Sequence, residues 1–589
     1  MPYAKCLQTQ KCVPTATDIK AGRDPGFLLL QNAFFSLFFS SIIKAKLYER
    51  CITNKEGIME YRQSGNYKDL DDYVFQKTGK HIADLDSKTS YVVRDMDKAA
   101  ARIRKAIKNR EHMEVYTDYD LDGVGSAGQM LLMFRALGAG NYNIRVPRRF
   151  SDGYGIQTQQ ISTMPDSGLL IVADNGIKAH DAVAAAKAKG MDVIILDHHL
   201  PDELDGRILV PDADILIDPA AISEGNTFKG YCAGGLVNTL FHMLVQNEDF
   251  CRKADAMAAL STVADVVPLL DANRQIVKRG LQVMNSGGAT AGLQAVIDAA
   301  GLTGIVNSEA IAFKLAPMFN TPGRLYDTGG FSATKILVEE DKNQALINAA
   351  NLNALNKKRI EDVKSVIDGI QQDSTLPVQI IRADDIPAGI FGIIAGKIQE
   401  KTGKPAFVYG VSNGIAKGSA RSNDEKTNNV SDMLVKVKDL MLKFGGHPGA
   451  AGFSFDASNE AAFISRMMEY PVVPPPDYLT FDLYLDEKDI RQTRMVMDFI
   501  EPFGKGMELP VFRVEYHASC DPFWRPMGKG EHLEITLQDK IKGVAFNLME
   551  KFVAEGKPKD MVLYGTPFWD HYKGTANVKF RITDLERLR

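Results

Sequence analysis

The sequence predicts an α/β protein in which two sheet-containing domains are joined by a long helix and followed by a small β-barrel. Apolar, β-branched runs alternate with helix-like segments from about residue 91 onward. A polar, helix-like stretch spans 341–371, and its middle part contains no helix breaker. Beyond residue 476, short runs alternate apolar and polar residues between turn signals. A chain of 589 residues is long enough for about three or four domains of this kind.

The first domain is predicted to contain a parallel sheet. Its strand candidates are MEVYT (113–117), GLLIVA (168–173) and MDVIIL (191–196). Between the last two lies an alanine-rich segment, 177–190, whose pattern indicates a helix closed by glycine. A strand, a helix and a strand in this order form a right-handed crossover between parallel strands. Such sheets bind ligands at the carboxyl ends of their strands, so the residues after each strand are the candidates for a site.

The second half of the chain begins with the stretch at 341–371, which could bridge two domains as a helix. The α/β alternation returns at about residue 376, and the run PVVPPP at 471–476 predicts a stiff linker. Short strands such as FRVEYHA and HLEITLQ then predict a small barrel or sandwich. We therefore divide the chain into an N-terminal extension (1–58), a first α/β domain (59–340), a connecting helix (341–372), a second α/β domain (373–470) and a barrel (471–589).

The first 58 residues differ in pattern from the rest of the chain. Residues 27–43 form an apolar run interrupted by polar residues, shorter than the roughly 20 apolar residues that a membrane-spanning helix needs. The run lies late for a signal peptide and has no clear cleavage site. We interpret the segment as lying outside the functional fold, with Met59 beginning the working protein. A buried helix and a membrane tether are the alternatives, and we expect no stable membrane association.

Charge and cysteine content exclude several classes of protein. The chain has 70 Lys and Arg against 74 Asp and Glu, a formal net charge of −4, which argues against a protein that coats polynucleotides. A nucleic-acid enzyme with a local basic groove is still compatible with this balance. Six cysteines without a CxxC pair argue against structural zinc and against a secreted disulfide framework. We therefore predict a cytoplasmic protein.

Acidic and histidine side chains follow each of the three predicted strands. A further aspartate lies in the otherwise apolar stretch 262–268, where an unpaired carboxylate would be costly to bury. Any single Asp-Gly pair is typical of a turn, but four such positions together indicate one common site. Carboxylates and imidazoles without thiolates favour Mn²⁺ or Mg²⁺, and this many ligands can hold two ions about 4 Å apart for phosphoryl chemistry. The candidate residues are Asp118, Asp120, Asp122, Asp174, Asp197, His198, His199 and Asp265.

The motifs DYDLDG, DNG, LDHH and TVADVVPL, in this order, resemble the signature of the DHH phosphoesterase superfamily. Downstream, GGHPGAAG at 445–452 is similar to the GGH motif of the associated DHHA1 domain. The resemblance implies a parallel-sheet DHH domain and a smaller α/β DHHA1 domain joined by the long helix, with the C-terminal barrel as an OB-fold.

Within this superfamily the chain resembles the RecJ family of single-strand-specific 5′→3′ exonucleases over about residues 60–589. The resemblance rests on PRRFSDGYG (147–155), KLAPMFNTPGR (314–324), GIFGIIAG (389–396), GSARS (418–422), EPFGKGMELP (501–510) and KGEHL (529–533). Met507 stands where the family usually has asparagine, and Met318 stands where an arginine is common, so one phosphate contact is expected to be missing. Neither departure touches a presumed metal ligand.

The resemblance implies roles for the candidate residues. Asp120, Asp174, His198 and Asp265 would hold one metal ion, and Asp118 would hold a second with Asp174 as the bridge. The predicted catalytic residues are His199, Asp122 and Asp197. For His199, contact with the scissile phosphate or leaving group and an orienting role behind the ligands stay open. Asp122 is expected to hydrogen-bond ligands and Asp197 to orient a histidine.

A second set of residues is expected to bind the substrate, with basic side chains on phosphates and aromatic rings as stacking platforms. Tyr154, Phe503 and Phe580 are platform candidates, with a place in the core as the alternative for each. The predicted phosphate and DNA contacts are Arg148, Arg149, Tyr154, Asn320, Arg324, Ser419, Arg421, Gly445, Gly446 and His447.

The function that follows is an exonuclease that needs two Mn²⁺ or Mg²⁺ ions and degrades single-stranded DNA from the 5′ end to 5′-mononucleotides, in DNA repair and recombination. A phosphodiesterase for short oligonucleotides or cyclic dinucleotides is one alternative, and an inactive DNA-binding scaffold is another. The barrel and the connecting helix favour the first, because short substrates do not need them. We expect a monomer, with a single-stranded-DNA-binding protein and a helicase as partners implied by the family.

Overall fold

A computed structural model describes residues 60–87, 89–302, 305–370, 375–474, 478–571 and 575–588 of the chain. The predictions made for residues 1–58 lie outside these described residues. Within them, no helix is long and apolar enough to cross a membrane.

The first described segment packs against the C-terminal part of the chain. It contains strand β1 (Glu60–Gln63) and helix α1 (Leu70–Thr78), and β1 pairs in parallel with residues 478–481. Tyr73 and Val74 of α1 are fully buried in the same apolar cluster as the C-terminal strands. The sequence grouped these residues with the first α/β domain, but their contacts in the fold are with the barrel.

A five-stranded, all-parallel sheet forms the centre of the first α/β domain. Across the sheet the strands follow the order β3 (Tyr142–Arg145), β2 (Met113–Tyr116), β4 (Gly168–Ala173), β5 (Met191–Leu196) and β8 (Ile215–Ile217). The inner strands β2, β4 and β5 are buried on both faces, which explains their largely apolar, β-branched sequences. The three predicted strands are confirmed, as is the helix between the last two. A separate hairpin is made by β6 (Asp202–Leu204) and β7 (Arg207–Leu209).

Helices cover both faces of this sheet, and a series of further helices follows its last strand in the sequence. A π-helical turn at Ile311–Leu315 joins two of them into one bent segment. The helices are α2 (Met96–Asn109), α3 (Leu121–Ala136), α4 (Thr158–Ser162), α5 (His180–Ala188), α6 (Ala233–Leu244), α7 (Glu248–Ala264), α8 (Asp271–Asn285), α9 (Ala291–Ala299), α10 (Ser308–Ala310), α11 (Ala316–Leu325) and α12 (Gly329–Leu337).

The connecting helix α13 (Lys342–Gly369) is confirmed as a single helix of 28 residues. Asp341 caps its first turn, because the carboxylate accepts a hydrogen bond from the backbone N–H of Gln344 at 2.8 Å. Its buried positions recur every three or four residues and form one stripe along the helix: Ala345, Ala349, Leu352, Asn356, Arg359 and Val363.

The second α/β domain is built on a mixed five-stranded sheet in the order β12-β13-β11-β10-β9. Its core is aromatic, with Phe407, Phe453, Phe455 and Phe463 packed together. The elements are β9 (Gln379–Arg382), α14 (Phe391–Thr402), β10 (Ala406–Ser412), β11 (Ile415–Arg421), α15 (Val430–Val435), β12 (Met441–His447), β13 (Ala450–Asp456) and α16 (Glu460–Met468).

The C-terminal part forms a curved sheet of seven strands around one apolar cluster. The hydroxyl of Tyr516 donates to the carbonyl of Thr536 at 3.1 Å, which links two strands that are not neighbours in the sheet. Phe580 is fully buried in this core, so it is not a stacking platform, and Phe503 is half-buried. The elements are β14 (Tyr478–Phe481), β15 (Leu483–Tyr484), α17 (Ile490–Ile500), β16 (Phe512–His517), β17 (Trp524–Met527), β18 (His532–Thr536), β19 (Lys542–Ala545), α18 (Met549–Ala554), β20 (Asp560–Asp570) and β21 (Asn577–Arg587).

Candidate metal and phosphate site

Three neighbouring strands deliver polar side chains to one edge of the parallel sheet. Strands β2, β4 and β5 lie side by side, and at the carboxyl end of each strand the chain turns out of the sheet. Asp174 follows β4 directly and has a φ of 64°, a left-handed conformation that suits Asp, Asn and Gly. The structure thus brings together the carboxylates and imidazoles that the sequence pattern grouped at this edge.

His198 lies at the centre of the first cluster. Its Nε2 is 3.3 Å from Asp174 Oδ1 and 3.7 Å from Asp122 Oδ2, and its Nδ1 is 3.6 Å from Asp265 Oδ2. Asp265 arrives from the end of α7, on the other side of the domain core. One imidazole therefore contacts carboxylates from three separate segments of the chain.

A second cluster shares one residue with the first. Potential ligand atoms of Asp118, Asp120 and Asp174 all lie within 4.8 Å of one another. Asp118 Oδ1 is buried and has no hydrogen-bond partner among the described residues. Buried polar atoms are normally satisfied, so this oxygen indicates a missing cation. Because Asp174 belongs to both clusters, the residues fit two Mn²⁺ or Mg²⁺ ions with a shared carboxylate.

The pKa shifts of these carboxylates also indicate that the cluster lacks cations. Burial, together with repulsion from Asp120, raises the pKa of Asp118 well above its usual range. Burial and the neighbouring carboxylates do the same to the pKa of Asp174. The pKa of Asp265 is raised to about 8, again by burial first and by Asp122 and Asp120 second. These carboxylates need positive charge, and divalent cations would supply it.

Asp197 fixes the position of both histidines. Its Oδ1 accepts from the backbone N–H of His198 at 2.8 Å and lies 2.7 Å from His199 Nδ1, and its Oδ2 accepts from Ile177 N–H at 2.9 Å. Although burial opposes it, the hydrogen bond to Asp197 raises the pKa of His199 to about 9. The other ring nitrogen of His199, Nε2, lies 3.1 Å from the hydroxyl of Tyr154, which is 52% exposed. This nitrogen therefore faces the hydroxyl of Tyr154, whereas Nδ1 faces Asp197.

Asp122 is held at the start of a helix. Its two carboxylate oxygens accept hydrogen bonds of 2.8 Å each from the backbone N–H groups of Ala233 and Gly234, at the N-terminus of α6. The positive end of the helix dipole stabilises the charge there. Asp120 caps α3 in a similar way, accepting from Asp122 N–H at 3.0 Å. Both carboxylates are thus oriented by helix ends before any ion binds.

Opposite the carboxylates lies a group of arginines that come from three parts of the chain. Arg149 stacks on Tyr119, with its guanidinium 4.6 Å from the ring centre. Arg324 on α11 and Arg421 on β11 are half-buried, and no described carboxylate lies within 4.0 Å of either guanidinium. Burial, together with the charges of the other arginines, lowers the pKa of Arg324 to about 10. Buried cations without acidic partners indicate an anion site.

Arg359 completes this group and was missed from the sequence. It lies on the buried stripe of α13, where its guanidinium donates to Asn356 Oδ1 at 2.8 Å. The same oxygen accepts from the hydroxyl of Thr321 at 3.1 Å. In the sequence Arg359 reads as the last of three consecutive cations on a solvated helix. Its helical position could have identified it, because Asn356 and Arg359 fall on a stripe of the helix whose other buried residues are apolar.

The remaining predicted substrate residues are distributed around this group. Ser419 and Arg421 lie on one face of β11, two residues apart. The sheet register aligns Arg421 with His447 through Ala450, and Ser419 with Gly445 through Gly452. Gly445, Gly446 and His447 are all exposed on β12.

Two further predicted positions lie on the first domain. Asn320 is half-buried one turn before Arg324 on α11, so both side chains share a face of the helix. Arg148 is exposed on the loop that carries Arg149, with its backbone N–H bonded to Asp152. Met318 stands where the family commonly has arginine. Its apolar side chain is buried in the core, so this position offers no phosphate contact.

Asp218 is a second residue that the sequence reasoning did not select. It follows strand β8 at the same edge of the sheet, which is the signal that identified the others. Its Oδ1 accepts from the backbone of Ala220 and Ala221, at 3.0 and 2.9 Å. Burial, opposed by these hydrogen bonds, raises its pKa to about 7.

Models of three known domain families match separate parts of the chain. The model of the DHH family, N-terminal domain, matches residues 112–267, the DHHA1 domain matches 375–470, and the RecJ OB domain matches 481–584. The first of these contains every carboxylate and histidine of the two clusters.

Similar whole proteins carry one common name. The single-stranded-DNA-specific exonuclease RecJ of Bacillus subtilis is 31% identical over 79% of this chain, which spans 60% of that relative's length. The RecJ of Dickeya dadantii is 30% identical over 82% of this chain and 89% of its own length. The fold is similar to the crystal structure of Thermus thermophilus RecJ in complex with Mn²⁺, with a TM-score of 0.73 and 24% identity over 88% of this chain and 76% of that one.

Proposed function

Because the chain belongs to the RecJ family of single-stranded-DNA-specific exonucleases, we propose that it degrades single-stranded DNA from the 5′ end to 5′-mononucleotides with two Mn²⁺ or Mg²⁺ ions. The observation that carries this proposal is the presence of two opposite charge groups near each other. Among the described residues, the buried carboxylates Asp118 and Asp174 have no cation bound to them, and the half-buried Arg324 and Arg421 have no carboxylate partner. A nucleic-acid strand together with divalent ions supplies both missing partners. The ions would bind the carboxylates and the scissile phosphate, and other phosphates of the strand would bind the arginines.

The proposed roles follow the ligand set that the family resemblance implies. The structure in addition brings ligand atoms of Asp122, His198 and Asp265 within 4.8 Å of one another. Asp120, Asp174, His198 and Asp265 would hold one ion, and Asp118 and Asp174 the other. When bound, the two ions would lower the pKa of a water molecule and stabilise the charge that develops on the phosphate. Asp197 keeps Nδ1 of His199 on the protein side, so that Nε2 is presented to the scissile phosphate or its leaving oxygen. Asp122 steadies His198 from the end of α6.

The arginine group supports the direction of degradation. Arg324, Arg359 and Arg421 come from the DHH domain, the connecting helix and the DHHA1 domain, and together they form an enclosed anion site beside Asp120. A terminal 5′-phosphate carries more charge than an internal one and suits such a site. The strand would then continue past the metal ions toward the barrel. We place this activity in the cytoplasm, in repair and recombination, on strands exposed by a helicase or held by a single-stranded-DNA-binding protein.

A digestion of end-labelled DNA tests the proposal. The full chain is incubated with single-stranded DNA labelled at the 5′ or the 3′ end, with Mn²⁺ or with EDTA. Immediate metal-dependent release of the 5′ label as mononucleotide, with gradual shortening of the 3′-labelled strand, is expected. Cleavage of dinucleotides alone would move the chain to the small-substrate phosphodiesterases. Binding of DNA without cleavage of either substrate would favour the inactive scaffold.

Asp197→Asn is expected to lower kcat for DNA cleavage by about 10- to 100-fold with little change in KM. Partners that orient metal ligands and reactive histidines have effects of this size. The asparagine keeps the shape but loses the charge that holds His199. Steady-state kinetics on single-stranded DNA give the measurement. Asp192→Asn, near the start of the same strand β5, serves as the control, because Asp192 pairs with Arg102 away from the cluster. Equal kcat values for the two variants would contradict the orienting role.

Arg421→Gln is expected to remove most of the preference for a 5′-phosphorylated end, raising KM for that substrate by roughly 10-fold or more. The variant loses the positive charge of a guanidinium that packs against Gly392. A Cβ at position 392 would lie 2.6 Å from this guanidinium, so the glycine leaves the room that the arginine needs. Arg382→Gln in the same domain is the control, because Arg382 is exposed and paired with Asp384 and Glu460. The measurement compares 5′-phosphate and 5′-hydroxyl ends of one oligonucleotide. An unchanged ratio would remove Arg421 from the terminal-phosphate site.

A further inference from the structure

Two residues of the candidate site lie on a single loop, the β3–α4 loop (residues 146–157). Arg149 stacks on Tyr119 of the DYDLDG motif, with its guanidinium 4.6 Å from the ring centre. Further along this loop, the hydroxyl of Tyr154 lies 3.1 Å from Nε2 of His199. Much of the loop is exposed, so its conformation depends on the hydrogen bonds that hold its backbone.

The second half of this loop is held against the parallel sheet. The backbone N–H of Ile156 donates to Oδ1 of Asn175 at 3.2 Å, and the hydroxyl of Tyr116 donates to the carbonyl of Gly155 at 3.4 Å. Asn175 and Tyr116 are both buried, one just after β4 and the other at the end of β2. Residues 148–151 precede these anchors and need an anchor of their own.

Asp327 provides that anchor from the turn between α11 and α12. Its Oδ1 accepts hydrogen bonds from the backbone N–H groups of Phe150 and Ser151, at 2.8 and 3.2 Å. Its Oδ2 accepts from the hydroxyl of Ser151 at 2.6 Å. These three bonds fix the backbone directly after Arg149, because Phe150 is the next residue in the chain.

The turn that carries Asp327 packs on Tyr119, the ring on which Arg149 lies. Gly323 on α11 and Gly330 on α12 both approach the backbone of Tyr119. A Cβ at position 323 would lie 3.0 Å from the Tyr119 carbonyl oxygen, and a Cβ at position 330 would lie 3.0 Å from its Cα. The two glycines permit this close approach. Asp327 is therefore fixed relative to Tyr119, and its hydrogen bonds place Arg149 over the Tyr119 ring.

We propose that Asp327 is a positioning residue for substrate binding, which holds the β3–α4 loop so that Arg149 is presented to the phosphates of the strand. This inference rests on the proposed function. The role requires a hydrogen-bond acceptor rather than a charge, because a carboxylate near a phosphate site repels the substrate. Asparagine would keep Oδ1 for the two backbone N–H groups, whereas alanine would leave all three donors without their partner. An effect of charge alone would instead make both variants bind the strand more tightly.

Kinetics on single-stranded DNA compare Asp327→Ala and Asp327→Asn with the control Asp456→Ala. Asp456 is exposed and also accepts from the backbone N–H and the hydroxyl of one serine, Ser458, at 2.9 and 2.5 Å. It lies at the opposite end of β13 from Ala450, which pairs with Arg421. On a 5′-phosphorylated oligothymidylate of about 15 nucleotides with Mn²⁺, Asp327→Ala should lower kcat/KM by roughly threefold to tenfold. Asp327→Asn and Asp456→Ala should remain within about twofold of the unmodified chain.

Double variants show whether Asp327 acts through Arg149. In the Arg149→Gln background, Asp327→Ala should lower kcat/KM by less than about twofold, because the side chain that Asp327 positions is already gone. In the Arg421→Gln background it should cause its full loss, because Arg421 lies on β11 in the other α/β domain. A general weakening of the fold would reduce kcat/KM equally in both backgrounds, so the comparison separates positioning from stability.

Limited trypsin digestion without DNA gives a readout that does not depend on nuclease activity. Trypsin cuts after arginine, and the β3–α4 loop offers the bonds that follow Arg148 and Arg149. Cutting at these bonds should be roughly threefold to tenfold faster in Asp327→Ala than in Asp456→Ala, because the loop opens more often.

Three results would overturn the inference. They are equal behaviour of Asp327→Ala and Asp456→Ala, an equal kinetic loss in Asp327→Ala and Asp327→Asn, and a full further loss in the Arg149→Gln background. If the unmodified chain did not cut the oligothymidylate at all, the proposed function would fail. The trypsin rates would then still decide whether Asp327 holds the loop, so the two failures are distinct.

Discussion

Asp174→Asn is expected to lower kcat for single-stranded DNA by roughly 1,000-fold or more while leaving the chain folded. Among the described residues, Asp174 is the carboxylate that the two candidate metal clusters share, so its loss should affect both ions at once. Asparagine is preferred to alanine for this experiment, because Asp174 has a φ of 64° and asparagine tolerates that conformation. The variant therefore removes the charge and keeps the backbone.

The control for this variant is Asp166→Asn, an exposed position paired with Lys189 in the same domain. Both variants are compared by kinetics with Mn²⁺ and by thermal unfolding without metal. In the metal-free state Asp174→Asn should unfold at the same temperature as the unmodified chain or at a higher one, because a source of like-charge repulsion is gone. Retained cleavage at more than about a tenth of the normal rate would remove Asp174 from the metal site.

The metal-free chain is expected to lose stability as the pH rises from about 4 to about 8, and Mn²⁺ should reverse the loss. The pKa of Asp265 is raised from 3.8 to about 8, and those of Asp118 and Asp174 are also raised. Below the ordinary value these groups are protonated in both the folded and the unfolded chain. Between the two values the folded chain binds more protons than the unfolded chain, so stability falls with pH.

Thermal unfolding in EDTA and in Mn²⁺ at several pH values measures this effect. The difference between the two midpoints should be smallest in acid and should grow by several degrees toward pH 8, as cations replace protons. In Asp174→Asn the decline without metal should be shallower. A metal-free midpoint that stayed constant or rose across this range would contradict the raised pKa values.

Much of the site could be predicted because its residues lie next to their strands in the sequence. The buried strands before Asp118, Asp174 and Asp197 have strong local patterns, and parallel neighbours place their ends at one edge. The long helix was also a local prediction. The family resemblance then supplied the identity of the second domain and of the barrel.

Other features depend on contacts between distant segments and were not accessible from local pattern. Arg359 becomes a site residue only because its face of α13 packs toward α11, where the hydroxyl of Thr321 donates to Asn356. The orientation of the His199 ring is set by Asp197 at Nδ1 and by Tyr154, from another loop, at Nε2. Phe580 was a candidate stacking platform, but its side chain is fully buried in the core of the barrel.

The pairing of β1 with β14 has a consequence for the order in which the chain folds as it leaves the ribosome. Gln63 hydrogen-bonds to the backbone of Asp482, 419 positions later, and Tyr61 to Asp584, 523 positions later. The parallel sheet can form while synthesis continues, but Tyr73 and Val74 have no core to enter until the last strands appear. A chain interrupted before residue 478 would leave these side chains exposed to chaperones and proteases. The earliest described segment is thus the last to be buried, so completion of synthesis is a condition for a stable fold.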